Sequence, residues 1–200
     1  MKNPLESITK TIVLGFVLAL VLGWLVRSGS GLSLPSVFRW IHYLAGVCWI
    51  GLLYYFNFVQ VPAMATAAAD KGGPGPAAIG KYIAPPALLW FRWAAVATWL
   101  SGAAYLGKNF IPAFTLGAVG EGSGSYFTMI GIGAWMGTIM LFNVWVLIWP
   151  NQKKILGMVQ ASDEEKARAR RVALLASRTN TLLSIPMLLF MGAASHGILF

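Results

Sequence analysis

The sequence predicts an all-α integral membrane protein, a five-transmembrane-helix bundle with its amino terminus cytoplasmic and its carboxyl terminus periplasmic. Three observations carry that prediction. Of the 200 residues, 58% are hydrophobic and only 10% are charged, where a soluble domain has about 25% charged residues. Mean hydropathy is +0.69. Apolar runs long enough to span a bilayer, about 20 residues each, recur between clusters of glycine and proline. Such a chain cannot cover itself with polar surface, which excludes a soluble enzyme, a nucleic-acid-binding domain and a disordered segment. One membrane domain, residues 1–200, accounts for the whole length.

The first run is Thr11–Arg27, short but uninterrupted. A signal peptide is the alternative for it, with Lys2 and Lys10 as the basic end. Trp24, Leu25, Val26 and Arg27 stand where a small-residue cleavage site would be needed, which favours a span. Gly29, Gly31 and Pro35 follow. The second run is Val37–Val61, closed by Pro62. The stretch Val61–Ala84, rich in Ala, Gly and Pro, reads as a loop. Pro85 and Pro86 precede the third run, Ala87–Leu106, and Pro112 follows it. The fourth is Ser125–Trp149, closed by Pro150. The fifth is Val172–Phe200. Ser162-Asp163-Glu164-Glu165 reads as a capping box opening a polar helix that continues into the fifth span.

Orientation follows from the basic residues. Lys2, Lys10, Lys71, Lys81, Lys153, Lys154, Lys166, Arg168, Arg170 and Arg171 fall on one side. Arg27, Arg39 and Lys108 fall on the other. The net charge of +9 is therefore read as topology, with the richer side cytoplasmic. The lipid bilayer is the expected partner, and no nucleic acid is expected.

There are two histidines, His42 and His196. The topology brings both to the outer side, roughly 6–8 Å below their helix ends at 1.5 Å per residue. Gly46 lies four residues after His42, and Gly192 four before His196, so each glycine shares its histidine's face. Such gaps suit a flat porphyrin, and Trp49 extends the face of the second helix. Membrane helix bundles hold b-type haem between histidines on facing helices, which makes His42 and His196 candidate ligands of a haem iron. The bland alternative is two interfacial histidines. Zinc or copper needs more ligands than two. Met187 and Met191 lie nearby and read as packing.

A polar cluster marks the opposite ends of the helices. It holds Asn57, Gln60, Arg92, Asn143, Arg178, Asn180, Thr181 and Ser184. Arginine in hydrocarbon is costly, so Arg92 and Arg178 should face the bundle or reach the interface. Arg92, Asn143, Asn180 and Arg178 together suit a flat anion, the arginines by bidentate donation and the amides by donating and accepting. The alternative is that the arginines are cytoplasmic anchors and the amides bridge helices. Haem and substrate would then lie towards opposite faces of a roughly 30 Å core, so the substrate pocket must reach towards midplane for electrons to pass. Among nine tryptophans, Trp24, Trp40, Trp99, Trp135 and Trp149 fit interfacial belts, and Trp49, Trp93 and Trp145 fall deeper. No carboxylate lies within a span, no residue is assigned as catalytic, and the single cysteine, Cys48, allows neither a disulfide nor a CxxCH haem attachment. Gly120–Gly124 is a flexible loop, since no strand precedes it.

Three blocks carry a family resemblance. Trp40–Pro62, Leu141–Lys154 and Ser177–Met187 resemble helices of the membrane domain of bacterial urate hydroxylase, the urate oxidase N-terminal family. The pattern of His42, Ala45, Trp49 and Gly51 is similar, more weakly, to membrane haem proteins of the protoporphyrinogen-oxidase and copper-resistance type. The resemblance implies an inner-membrane protein of bacteria that oxidises urate, in purine catabolism, and passes electrons to a cytochrome c. In that family the cytochrome domain follows the last helix. This sequence contains no CxxCH, so a separate cytochrome c or respiratory subunit is expected as acceptor. Two other functions fit the same residues: a non-catalytic electron-relay or structural subunit of a respiratory complex, and a haem-handling or porphyrinogen-oxidising protein.

Overall fold

A computed structural model describes residues 3–26, 33–119 and 125–197. Every regular element among them is helical. The long helices are α1 (Ile8–Leu25), α2 (Leu34–Ala69), α3 (Ala84–Leu106), α5 (Ser125–Ile155) and α6 (Asp163–His196), with a short α4 (Phe110–Phe114) between the third and fifth. The chain divides into two compact units, residues 1–37 and 38–200. The first holds α1, whose apolar residues from Ile12 to Leu25 are spread around the helix. All of the polar chemistry discussed below lies in the second.

Among the described residues, four helices are long and apolar enough to cross a membrane: α1, α2, α5 and α6. The third expected span exists as α3 and has 23 residues, but it is not among the four. Its length suffices; its polarity sets it apart. It carries Arg92, Thr98 and Ser101, all buried, beside Pro85, Pro86 and three tryptophans.

The expected ends of the second and fourth spans need correction, because neither Pro62 nor Pro150 stops its helix. A helical proline lacks the N–H and strikes the carbonyl four residues back. Here each proline is preceded by a wide turn of five or six residues, Phe56–Gln60, Ile79–Ile83 and Asn143–Ile148, in which bonds skip one carbonyl. Val61 donates to Phe56, Ala84 to Ile79 and Trp149 to Val144, one residue before Pro62, Pro85 and Pro150 respectively. Side chains cover carbonyls nearby: Asn57 Nδ2 donates to Leu53 O at 2.9 Å and Asn151 Nδ2 to Leu147 O at 2.7 Å. The widened register lets the helix run through the ring. Residues 61–69 and 79–83, expected in a loop, are therefore helical. Pro35 sits in the first turn of α2, where no N–H is needed. The expected flexible loop Gly120–Gly124, with Gly29, Gly31 and the last three residues, lies outside the described residues.

The polar start of α6 matches expectation. Ser162 Oγ accepts from the Glu165 N–H, and the Glu165 carboxylate accepts from the Ser162 N–H at 2.9 Å. That N–H, with Lys154 at 3.7 Å, holds the Glu165 carboxyl below its ordinary range. The helix then runs uninterrupted through Pro186 to His196. Its buried stripe is Ala169, Ala173, Ala176, Asn180, Ser184, Met187 and Ala193. Small residues there let α5 approach closely, and Gly133 and Gly137 on α5 receive Met191 and Met187. Trp49, Leu53, Phe56, Leu88, Phe91, Met140, Val144 and Met187 fill the core between α2, α3, α5 and α6.

Candidate cofactor cavity

One cavity of about 610 Å³ opens in the second unit, and both histidines line it. That volume falls within the roughly 300–1,000 Å³ of small-molecule and cofactor sites. Gly46, Trp49 and Gly192, expected beside the histidines, line it too. So do Arg39, Thr98, Gly102 and Tyr105. The wall is otherwise apolar, with Val47, Ile50, Ile130 and Leu188.

The histidines share a chemical state. His42 Nδ1 lies 2.8 Å from the carbonyl oxygen of Thr98 on α3. His196 Nδ1 lies 3.2 Å from that of Gly192, one turn back on its own helix. A carbonyl oxygen only accepts, so in each ring the hydrogen sits on Nδ1. In the neutral ring this leaves the lone pair on Nε2, the arrangement by which histidines ligate metals. Glycines shape the space around them. A Cβ on Gly102 would stand 2.9 Å from His42 Cε1 and Nδ1, so only glycine admits the ring against α3. A Cβ on Gly192 would meet nothing within 4 Å, the open edge that the sequence suggests. Gly46 is less open, since a Cβ there would touch the Thr98 methyl at 3.7 Å. The Arg39 guanidinium lies 5.9 Å from the centre of the Tyr105 ring, giving the cavity a cation. These features fit a flat, apolar, metal-bearing group with acidic substituents.

Of the second expected site, Asn143 and Asn180 are joined to each other. Asn143 Nδ2 donates to Asn180 Oδ1 at 2.8 Å, and Asn180 Nδ2 donates to Met140 O at 3.0 Å. The amides thus clamp α5 to α6. Arg92 is buried, 9% exposed, and forms no ion pair among the described residues. Its guanidinium stacks 3.3 Å from the Trp149 ring centre and 5.8 Å from that of Trp145. Arg92 Nε, Trp145 Nε1, Asn57 Oδ1 and Gln60 Oε1 are buried without hydrogen-bond partners. Arg178 is not brought to this cluster. It is exposed, because it stands two residues, about 200°, from Asn180 around α6.

The two sites are closer than opposite membrane faces. Thr98 holds His42, and Arg92 lies six residues earlier on α3, an axial rise of about 9 Å. The cavity reaches inward as far as Trp49, Ile50, Gly137 and Met187.

Several tryptophans depart from expectation. Trp99, assigned to a belt, lines the cavity and donates to Thr138 Oγ1 at 2.9 Å. Trp135 donates to Phe114 O at 3.0 Å. Trp93 is exposed and packs edge-on against Trp145, so neither is a cavity residue. A second hollow at residues 157–166 is a surface recess whose Ser162 and Glu165 are engaged by the capping box.

Gly102, Thr98, Arg39 and Tyr105 escaped the sequence reading. Arg39 was within reach, being three residues before His42 and thus on its face. Gly102 and Thr98 were not, since only the crossing of α2 and α3 sets them beside the ring.

The clamp yields a prediction. Asn180→Leu removes two buried hydrogen bonds and strands Asn143 Nδ2, an expected loss of about 2 kcal/mol. In detergent the Tm should fall by roughly 4–8 °C. An unchanged Tm would mean that the pair does not hold α5 to α6.

Comparison with known proteins gives one match. The family model described as urate oxidase N-terminal matches residues 113–200. The matched span includes Asn143, Asn180, Gly192 and His196, and leaves out His42 and Arg92. No curated protein and no solved structure matches the chain.

Proposed function

We propose that the chain, whose residues 113–200 match the urate oxidase N-terminal family model, is a redox protein of the bacterial inner membrane. It holds b-type haem in the cavity shared by His42 and His196 and oxidises urate or a similar small molecule. The electrons leave to a separate cytochrome c. The observation that carries this reading is that both imidazoles line one cavity with Nδ1 fixed on a carbonyl and Nε2 free.

Bound there, haem supplies one-electron transfer. The protein's residues do the rest. The Thr98 and Gly192 carbonyls keep the ring proton on Nδ1, which orients each imidazole and raises its basicity. Arg39 at the rim takes the acidic substituents. The apolar wall excludes water. Arg92, a buried cation without a carboxylate, holds an anionic substrate, because an uncompensated interior charge is costly. The partnerless Trp145 N–H and the Asn57 and Gln60 amide oxygens supply further donors and acceptors. Asn143 and Asn180 are turned towards each other. The basic ends of α5 and α6 face the cytoplasm.

That closed amide pair also favours a second reading, an electron-relay subunit with haem and no substrate of its own. An optical spectrum, oxidised minus reduced, of detergent-purified protein tests both. Haem-replete wild type should give a b-type spectrum, and His42→Ala should lose it. Reduction on adding urate, abolished in Arg92→Leu, supports the enzyme. Haem that urate does not reduce supports the relay. Wild type without haem overturns both.

A further inference from the structure

We infer that the two histidines are unequal ligands, and that the His196 side of the cavity is an exchangeable binding position for small σ-donor ligands from outside. The inference rests on the haem reading above. His42 is held at two points on one face of α3: its 2.8 Å bond crosses to Thr98 on that helix, and Gly102, one turn on, lies so close to the ring that a methyl would strike it. Freeing His42 breaks a hydrogen bond between helices. His196 has no such hold. It is the last residue of α6, it is exposed, and its 3.2 Å bond returns to its own helix. Gly197, at φ +76°, turns the backbone out of the helix immediately after it. A terminal turn opens at low free-energy cost compared with a packed interior. Gly192 leaves open space beside it, where a displaced ring or an incoming ligand finds room.

The consequence is a ligand exchange. With haem held there, an incoming ligand would take the place of His196 Nε2 on the iron, one bond lost for one gained, with no change of oxidation state. The ligands that fit are small: carbon monoxide on the reduced protein, cyanide or free imidazole on the oxidised one. Arg39 on the rim favours the anion among them.

Carbon monoxide is the probe. Haem-loaded wild type, reduced in mild detergent, should shift its Soret band on adding the gas. His196→Ala should keep at least half the wild-type haem, become high-spin, and bind carbon monoxide without competition. His42→Ala should lose haem more than tenfold. A haem-loaded wild type whose spectrum carbon monoxide leaves unchanged overturns the inference while leaving the haem reading intact. Equal haem loss in both variants does the same. A wild type that takes up no haem overturns the haem reading, and the inference falls with it. The wild-type titration decides even if a variant fails to fold.

Discussion

Gly102→Ala is expected to weaken haem binding by 10–100-fold, the usual cost of disturbing a group that orients a metal-ligating histidine. The added methyl would lie 2.9 Å from two atoms of the His42 ring. The ring must move, and the 2.8 Å bond to the Thr98 carbonyl goes with it. Haem content per protein, measured by absorbance after purification, checks this. Gly80→Ala is the control, because a Cβ there meets nothing and Gly80 does not line the cavity. Haem retained at the wild-type level in Gly102→Ala would mean that His42 is not held in the way described. Neither residue type nor position marks Gly102 as special in the sequence, so this is a test of tertiary geometry.

Gly131→Ala should give the largest loss of stability. A Cβ at Gly131 would run into the Ala113 carbonyl oxygen and stand 2.7 Å from Leu116 Cδ2. The carbonyl is backbone, so nothing flexible can yield; α4 must lift away from α5. Ala113, fully buried at that contact, would be exposed. Overpacking usually costs 1–3 kcal/mol, and a backbone obstacle belongs at the upper end, about 3 kcal/mol. Thermal unfolding in detergent should fall by roughly 6–12 °C. A change below about 2 °C would show that α4 is not packed on α5 in solution. Haem content should fall less than in Gly102→Ala, since Phe110 and Phe114 of α4 only wall the cavity.

In the proposed reading, Arg92 and Thr98 on α3 bring the two sites near each other. A buried guanidinium stacked on Trp149, with no carboxylate beside it, is costly unless an anion joins it. The axial separation of about 9 Å from Thr98 removes the need for a pocket spanning the bilayer.

Much of this protein was legible in its residues. Long apolar helices follow from the runs of hydrophobic residues between glycines and prolines, and 10% charge points to a membrane class because it cannot hydrate a 200-residue surface. The capping box at Ser162 follows from local hydrogen bonding, which neighbours in sequence decide between themselves. His42, His196, Gly46, Gly192 and Trp49 share a cavity as their depth and helical faces suggest, since helix geometry is rigid enough to project from spacing. Proline misled the reading at Pro62 and Pro150, because a wide turn can absorb the ring and only the surrounding packing decides whether it does. The tertiary structure alone decided what crosses between helices. It set the Thr98 carbonyl on His42, carved the Gly102 notch, joined Asn143 to Asn180 and turned Arg178 outward. Those facts depend on the rotation and register of one helix against another. Both are set by many small packing contacts summed over an interface, and no single residue announces that sum.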